Sequence, residues 1–211
     1  MGMDRSAIIK VAKTPNGGAT TKALEELEQS GFITSYHPFG KKKKTKLHRL
    51  TDEYSLFYLH FMEDQTNEGA GTWQYLSQTP VYKTWSGYAY EGICLKHVPQ
   101  IKKALGIAGV YSKSASFLKK GTKEEQGTQI DLVIDRNDKV INLVEVKFHD
   151  KEFTVTKAYA EKLRRKKWTF EEATKTKKWT MVTLITTFGL KQNMHSLGLI
   201  EKDLTSDDLF G

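Results

Sequence analysis

Residues 126–147, QGTQIDLVIDRNDKVINLVEVK, restrict what this chain can fold into more than any other stretch. Ile130, Leu132 and Ile134 alternate with Asp131, Val133 and Asp135, the period-two pattern of a strand. Arg136-Asn137-Asp138-Lys139 carries turn chemistry, and Val140 to Phe148 continues as an almost unbroken apolar strand. Two strands joined by a tight turn are expected. Into the second strand two charges are set, Glu145 and Lys147. Residues two apart in a strand share a face, so both point the same way, beside Ile141 and Leu143. A charge without partners is costly in such surroundings. An acid and a cation side by side therefore predict a polar pocket, with Asp131 of the neighbouring strand as its third member.

Two carboxylates delivered by adjacent strands make a hard, oxygen-rich site suited to Mg2+ or Mn2+, with waters retained and room left for phosphate oxygens. A lysine beside them can orient an attacking water or offset charge developing at phosphorus. That is a phosphodiesterase site in outline. The plainer alternative is a cross-strand ion pair on a solvated sheet face. The apolar frame of Leu143, Val144, Val146 and Phe148 argues against it.

Asp131, thirteen further residues, then Glu145-Val146-Lys147 resembles the motif of the PD-(D/E)XK nuclease superfamily. Within it, GYAYEGICLKHVPQIKKALGI, QIDLVIDR and INLVEVKF, in that order, resemble the nuclease-like domain at the C-terminal end of a group of prokaryotic AAA-type ATPases. The resemblance runs from about Ala19 to Phe210, and Ile130 stands where the superfamily motif usually has Pro. It implies an α/β, restriction-endonuclease-like core built as helix, three strands, helix, strand. It also implies a glutamate from the helix before the strands, and Glu91 in GYAYEGIC matches that word; a plain exposed helix carboxylate is the other reading of Glu91. The implied catalytic set is Glu91, Asp131, Glu145 and Lys147, with Mg2+ (or Mn2+) held by Asp131, Glu145 and Glu91. His97 is a candidate to face the same cleft, and Gln129, two residues before Asp131, a candidate to hydrogen-bond a phosphate.

The function so implied is metal-dependent hydrolysis of a nucleic-acid phosphodiester, with DNA as the expected substrate. The rival, from another class, is a catalytically silent DNA- or protein-binding regulatory module of an AAA-type ATPase. An ATPase domain is the expected partner in longer relatives, and cutting both strands of a duplex would call for a homodimer.

Composition agrees without deciding. The 211 residues leave room for one large domain or two small ones, and 38% hydrophobic residues suffice for a core. With 27% charged residues and a mean hydropathy of −0.53, solubility is expected. The sequence holds no apolar run of the roughly eighteen residues that a membrane helix needs. MGMDRSAIIKVAK has no apolar signal core, so the cytoplasm is the expected compartment. The single cysteine, Cys94, excludes an intramolecular disulfide and a cysteine-built zinc site, and reads as a small core residue on a helix. A net charge of +8 and a pI near 9.3 favour anionic partners, a sign that gains meaning only beside a phosphodiesterase-like site.

The N-terminal third has its own pattern. A helix over Ser6–Ala12, a turn at 14–18, a helix over Thr20–Ser30 closed by Gly31, and strands over Phe32–Tyr36 and Thr45–Leu50 follow the winged-helix order. TKALEELEQSGFI resembles the recognition helix and first wing strand of such domains. One helix fewer than usual precedes the wing, so a partial winged helix at residues 1–65 is expected, begun inside a longer protein. No GxxxxGK[ST] loop is present, which excludes P-loop binding of ATP by this chain. Lys41, Lys42, Lys43 and Lys44 at the wing tip are either solvated or in contact with phosphates. Thr51–Met62 is apolar nearly all round and reads as a buried connector helix, with His60 an interior histidine. The loop at 65–72 is the expected boundary with the nuclease-like domain, 66–211. A basic helix, Thr154–Thr174, carries Lys157, Lys162, Arg164, Arg165, Lys166 and Lys167; phosphate contact and solvation both suit these charges, and Arg164 and Arg165 are the nucleic-acid candidates. A strand over Lys178–Thr187 follows, and LTSDDLF reads as a short capped turn or helix.

Overall fold

The structure, a computed structural model, describes residues 2–41, 45–63, 69, 71–122 and 126–210. The chain divides into two compact units, Met1–Gly92 and Ile93–Gly211. The division falls inside a 17-residue helix, whereas loop composition pointed to 65/66. Polar, Gly-rich composition marks where a chain can bend; it does not mark where contacts cease. Of that loop, residues 65–68 and 70 lie outside the described residues.

In the first unit β1 (Met3–Asp4) leads into α1 (Arg5–Ala12), α2 (Gly18–Gln29), β2 (Ile33–Tyr36), β3 (Leu47–Leu50), α3 (Glu53–Phe61), α4 (Thr72–Leu76) and most of α5 (Pro80–Lys96). The Asp4 carboxylate caps α1 by accepting the Ala7 amide at 2.8 Å. At the end of α2, Gly31 takes φ 79°, and the amides of Gly31 and Phe32 donate to the carbonyls of Glu28 and Leu27. This paired closure satisfies the last-turn carbonyls and turns the chain into β2. The three strands form an antiparallel sheet in the order β1-β3-β2. β1 has only two residues, too few to leave a periodic trace in the sequence.

α3 departs from the buried connector expected of it. Its cap is Asp52, which accepts the Ser55 amide at 2.6 Å, and Phe61 is the one buried residue of the helix. Tyr54, Tyr58 and Leu59 are exposed, as is His60. Apolar side chains on every side of a helix cannot all be covered by one neighbour. Here Phe57 and Phe61 gather Trp73, Tyr82 and Trp85 into an aromatic cluster with centroids 5.3 to 6.4 Å apart, and the opposite side stays open.

The second unit takes up the last turn of α5, where Cys94 is fully buried. Pro99 lies in the first turn of α6 (Val98–Ala104), where its missing amide costs nothing, so the helical run breaks at His97. Next come β4 (Ser112–Lys119), β5 (Thr128–Arg136), β6 (Val140–Lys147), β7 (Phe153–Thr154), α7 (Lys157–Thr174), β8 (Trp179–Thr186), β9 (Leu190–Lys191), β10 (Lys202–Leu204) and α8 (Asp207–Phe210). Five of the strands make a mixed sheet in the order β10-β8-β6-β5-β4. The β4/β5 and β5/β6 pairs are antiparallel, the β6/β8 and β8/β10 pairs parallel. Parallel neighbours need a crossover, and α7 supplies it between β6 and β8. The β5–β6 turn closes with Lys139 at φ 66°, a left-handed residue at the end of a three-residue connection. Val133, Ile134, Ile141, Val144, Leu184 and Ile185 are sealed from solvent on both faces of the sheet. The unit is therefore α/β. β10 was not foreseen in the tail, since three residues at a sheet edge carry no usable pattern. Among the described residues no helix is long and apolar enough to cross a membrane.

Candidate active site

The strand register locates the acids. β5 and β6 pair from Asp135 opposite Ile141 to Leu132 opposite Val144. Beyond that point β5 stays with β4 as far as Thr128, and β6 stays with β8 as far as Lys147, so the two strands part like a fork. Carried one step on, the same register sets Asp131 against Glu145, on the face of Val133 and Leu143. In place of a backbone pair, the Asp131 carboxylate spans the fork and accepts the Val146 amide at 3.1 Å. Asp131, Glu145 and Lys147 thus share one face of the sheet. The Gln129 side-chain amide reaches Asp131 at 3.5 Å, the outer limit of a hydrogen bond.

Helix α7 completes the pocket. Thr156 caps it by accepting the Tyr159 amide at 3.2 Å, and its buried stripe runs through Ala160, Leu163 and Phe170. Leu163 packs with Val155, Val182 and Leu199 in one core cluster, with Phe153 and Tyr159 against it. Lys166 lies on that same stripe, three residues after Leu163, so the packing of Leu163 carries the Lys166 ammonium down onto Glu145. The Glu145 side chain is 5% exposed, and Lys166 Nζ reaches both its oxygens, at 2.7 and 2.6 Å. Lys147 Nζ stands 3.7 Å from Glu145 Oε1 and 5.6 Å from the centroid of the Tyr159 ring. The Tyr159 hydroxyl is buried beside Glu145, and burial first, then the charges of Glu145 and Asp131, raise it well above the usual phenol range. Partial burial, then the neighbouring Lys166 and Lys147, lower the Lys162 ammonium from the ordinary lysine value. Beside Glu145 and Lys166 lies a cavity of about 10 Å³, room for about one water.

Two carboxylates and the ammonium groups of Lys147 and Lys166 thus meet at the open end of the strand fork. A Mg2+ ion is commonly held by one or two carboxylates together with waters, and the Lys166 ammonium already sits on Glu145 as a cation would. The donor set of Asp131 and Glu145 fits such an ion. Among the described residues, no three His, Cys, Asp or Glu side chains form a ready-made cage. Glu91 is half-buried on α5, in the first unit, where its charge reaches Arg49, a guanidinium lowered chiefly by burial. His97 does something other than face a cleft: its Nδ1 pairs with the Ile93 carbonyl at 2.8 Å, and its ring packs on Phe210 at 4.8 Å. Arg164 and Arg165 are exposed on α7, and Arg165 bonds the side chain of Gln126. Lys41 is exposed; Lys42, Lys43 and Lys44 lie outside the described residues.

Lys166 and Tyr159 were not singled out from the sequence, which read Lys166 as one of a run of solvated or phosphate-facing charges. A signal existed. Positions 159, 163, 166 and 170 recur at helical spacing, so a lysine at 166 falls on the apolar face and needs a buried partner.

No family model matches the chain, and no curated protein matches it. A solved structure, that of a protein of unknown function, AF1548, is similar with a TM-score of 0.34 and 16% identity. The likeness covers 49% of this chain and 50% of that one, about half the length of each, and is too loose to bear on fold or function.

Proposed function

We propose that the second unit is a metal-dependent phosphodiesterase acting on nucleic acid, with a PD-(D/E)XK type of core, and that the first unit is a partial winged helix. The observation that carries the reading is the meeting of Asp131 and Glu145, from two parting strands, with Lys147 on one sheet face. Asp131 and Glu145 would hold Mg2+ or Mn2+, which when bound would polarise a phosphoryl oxygen and lower the pKa of a water. Lys147 holds its ammonium beside Glu145 and the Tyr159 ring, placed to orient a water and offset charge on the phosphate. Arg164 and Arg165 on the exposed side of α7, with Lys41, would contact backbone phosphates without reading sequence.

The test is cleavage of plasmid and oligonucleotide, DNA and RNA, with Mg2+ or Mn2+, by the native protein and by Asp131→Ala and Glu145→Ala. Both substitutions should lower the rate by at least about a hundredfold. Cleavage that survives both would belong to a contaminant. A second reading, a catalytically silent nucleic-acid- or protein-binding module of an ATPase-linked protein, is favoured by one feature: both oxygens of Glu145 are already taken by Lys166. Retained binding of DNA with no cleavage in either metal would select it.

A further inference from the structure

We infer that Lys166 is an internal counter-ion for Glu145 that a divalent cation must displace, so that α7 sets the metal affinity of the site; this rests on the metal-dependent reading above. Three observations carry it. Lys166 Nζ touches both Glu145 oxygens, at 2.7 and 2.6 Å, so both atoms a cation would use already carry a positive partner. The cavity beside Glu145 and Lys166, about 10 Å³, offers no alternative seat for a hydrated ion on that side. A way out for the ammonium exists: the Lys166 side chain is 13% exposed against 5% for Glu145, on a helix whose neighbouring position 165 faces solvent.

Charge explains why such a device would be built. A buried carboxylate without a partner is expensive, so Glu145 needs a cation whether or not metal is present. Lys147, at 3.7 Å from one oxygen, pairs with it but stands beyond hydrogen-bond distance. Lys166 therefore keeps the metal-free fold intact, and entry of a divalent cation exchanges one cation for another. A metal on the same oxygens would stand close beside the ammonium, and the two like charges would repel.

The experiment reads Mn2+ binding by calorimetry and by the paramagnetic resonance of free Mn2+, on the full chain carrying Lys166→Met or Lys166→Arg. Removing the competitor should tighten Mn2+ binding in Lys166→Met on the order of tenfold or more, while Lys166→Arg, which keeps the cation, stays near the native affinity. Should Lys166→Met fail to fold, the native protein decides: reductive methylation followed by mass spectrometry should show Lys166 labelling rise on saturation with Mn2+, with exposed Lys157 as internal reference. Unchanged affinity in a folded Lys166→Met, or flat Lys166 labelling at saturation, overturns the inference and leaves the metal-dependent reading standing. Absence of Mn2+ binding in native protein and variants alike overturns both.

Discussion

At the scale of the residue, the most consequential contact is Glu145 with Lys166, a buried pair in which each member is the other's main reason for being tolerated. Breaking it from one side should be costly: Glu145→Leu alone strands the Lys166 ammonium and is expected to lower stability by about 3 kcal/mol, the smaller end of the range because Lys166 can reach solvent. The double change Glu145→Leu with Lys166→Met should recover most of that loss, which urea unfolding of the three variants will show; equal losses in single and double variants would mean that the pair is not coupled. Glu28 provides a second, opposite case at the surface. Hydrogen bonds from Lys46, at 2.8 Å, and from Ser35 hold its carboxyl below the ordinary glutamate value. A lowered carboxyl binds its proton less readily in the folded chain than in the unfolded one. Its stabilisation is present above the ordinary glutamate range and is lost as pH falls through the lowered value. Glu28→Gln should therefore lower stability at neutral pH by less than about 1 kcal/mol, because the pair is solvent-screened, and leave it nearly unchanged at pH below the lowered value, so that the acid limb of the stability–pH curve flattens.

At the scale of the element, α7 is what turns a hairpin into a pocket. Its start depends on Thr156, whose hydroxyl accepts the Tyr159 amide, and Thr156→Ala is expected to cost about 1 kcal/mol in chemical denaturation. Its seating depends on Leu163, 2% exposed in the cluster with Val182 and Leu199; Leu163→Ala should cost about 2–5 kcal/mol. The two changes differ in a second respect. Fraying at the cap leaves the Lys166 turn in place, whereas loss of Leu163 loosens the turn that presents Lys166 to Glu145. Amide exchange near residue 166 should accordingly rise more in Leu163→Ala than in Thr156→Ala. The strands were legible from alternation alone: Ile130, Leu132 and Ile134 against Asp131, Val133 and Asp135 describe β5 with no knowledge of its neighbours. α3 was less so, because an apolar helix predicts burial on all sides but says nothing of how much covering surface its unit can offer.

At the scale of the whole molecule, the +8 net charge gives the proposed nucleic-acid function a direct signature. Binding to a duplex oligonucleotide should weaken by orders of magnitude between low and moderate salt, with a linear slope on logarithmic axes, and Arg164→Glu with Arg165→Glu should reduce that slope by about two contacts. A slope near zero in fluorescence anisotropy would remove phosphate contact from the account. Sequence determined the local matters: which stretches alternate or turn, where Gly31 closes a helix, and that Asp131, Glu145 and Lys147 would share a face if their strands paired. These follow from side-chain period and backbone sterics, which act over a few residues. Only the tertiary structure decided that the strands part beyond Leu132 and Val144, that a helix beginning ten residues after Lys147 lowers Lys166 onto Glu145, and that the chain divides within α5. Those outcomes depend on burial and charge compensation between segments far apart in sequence, and no local period encodes them.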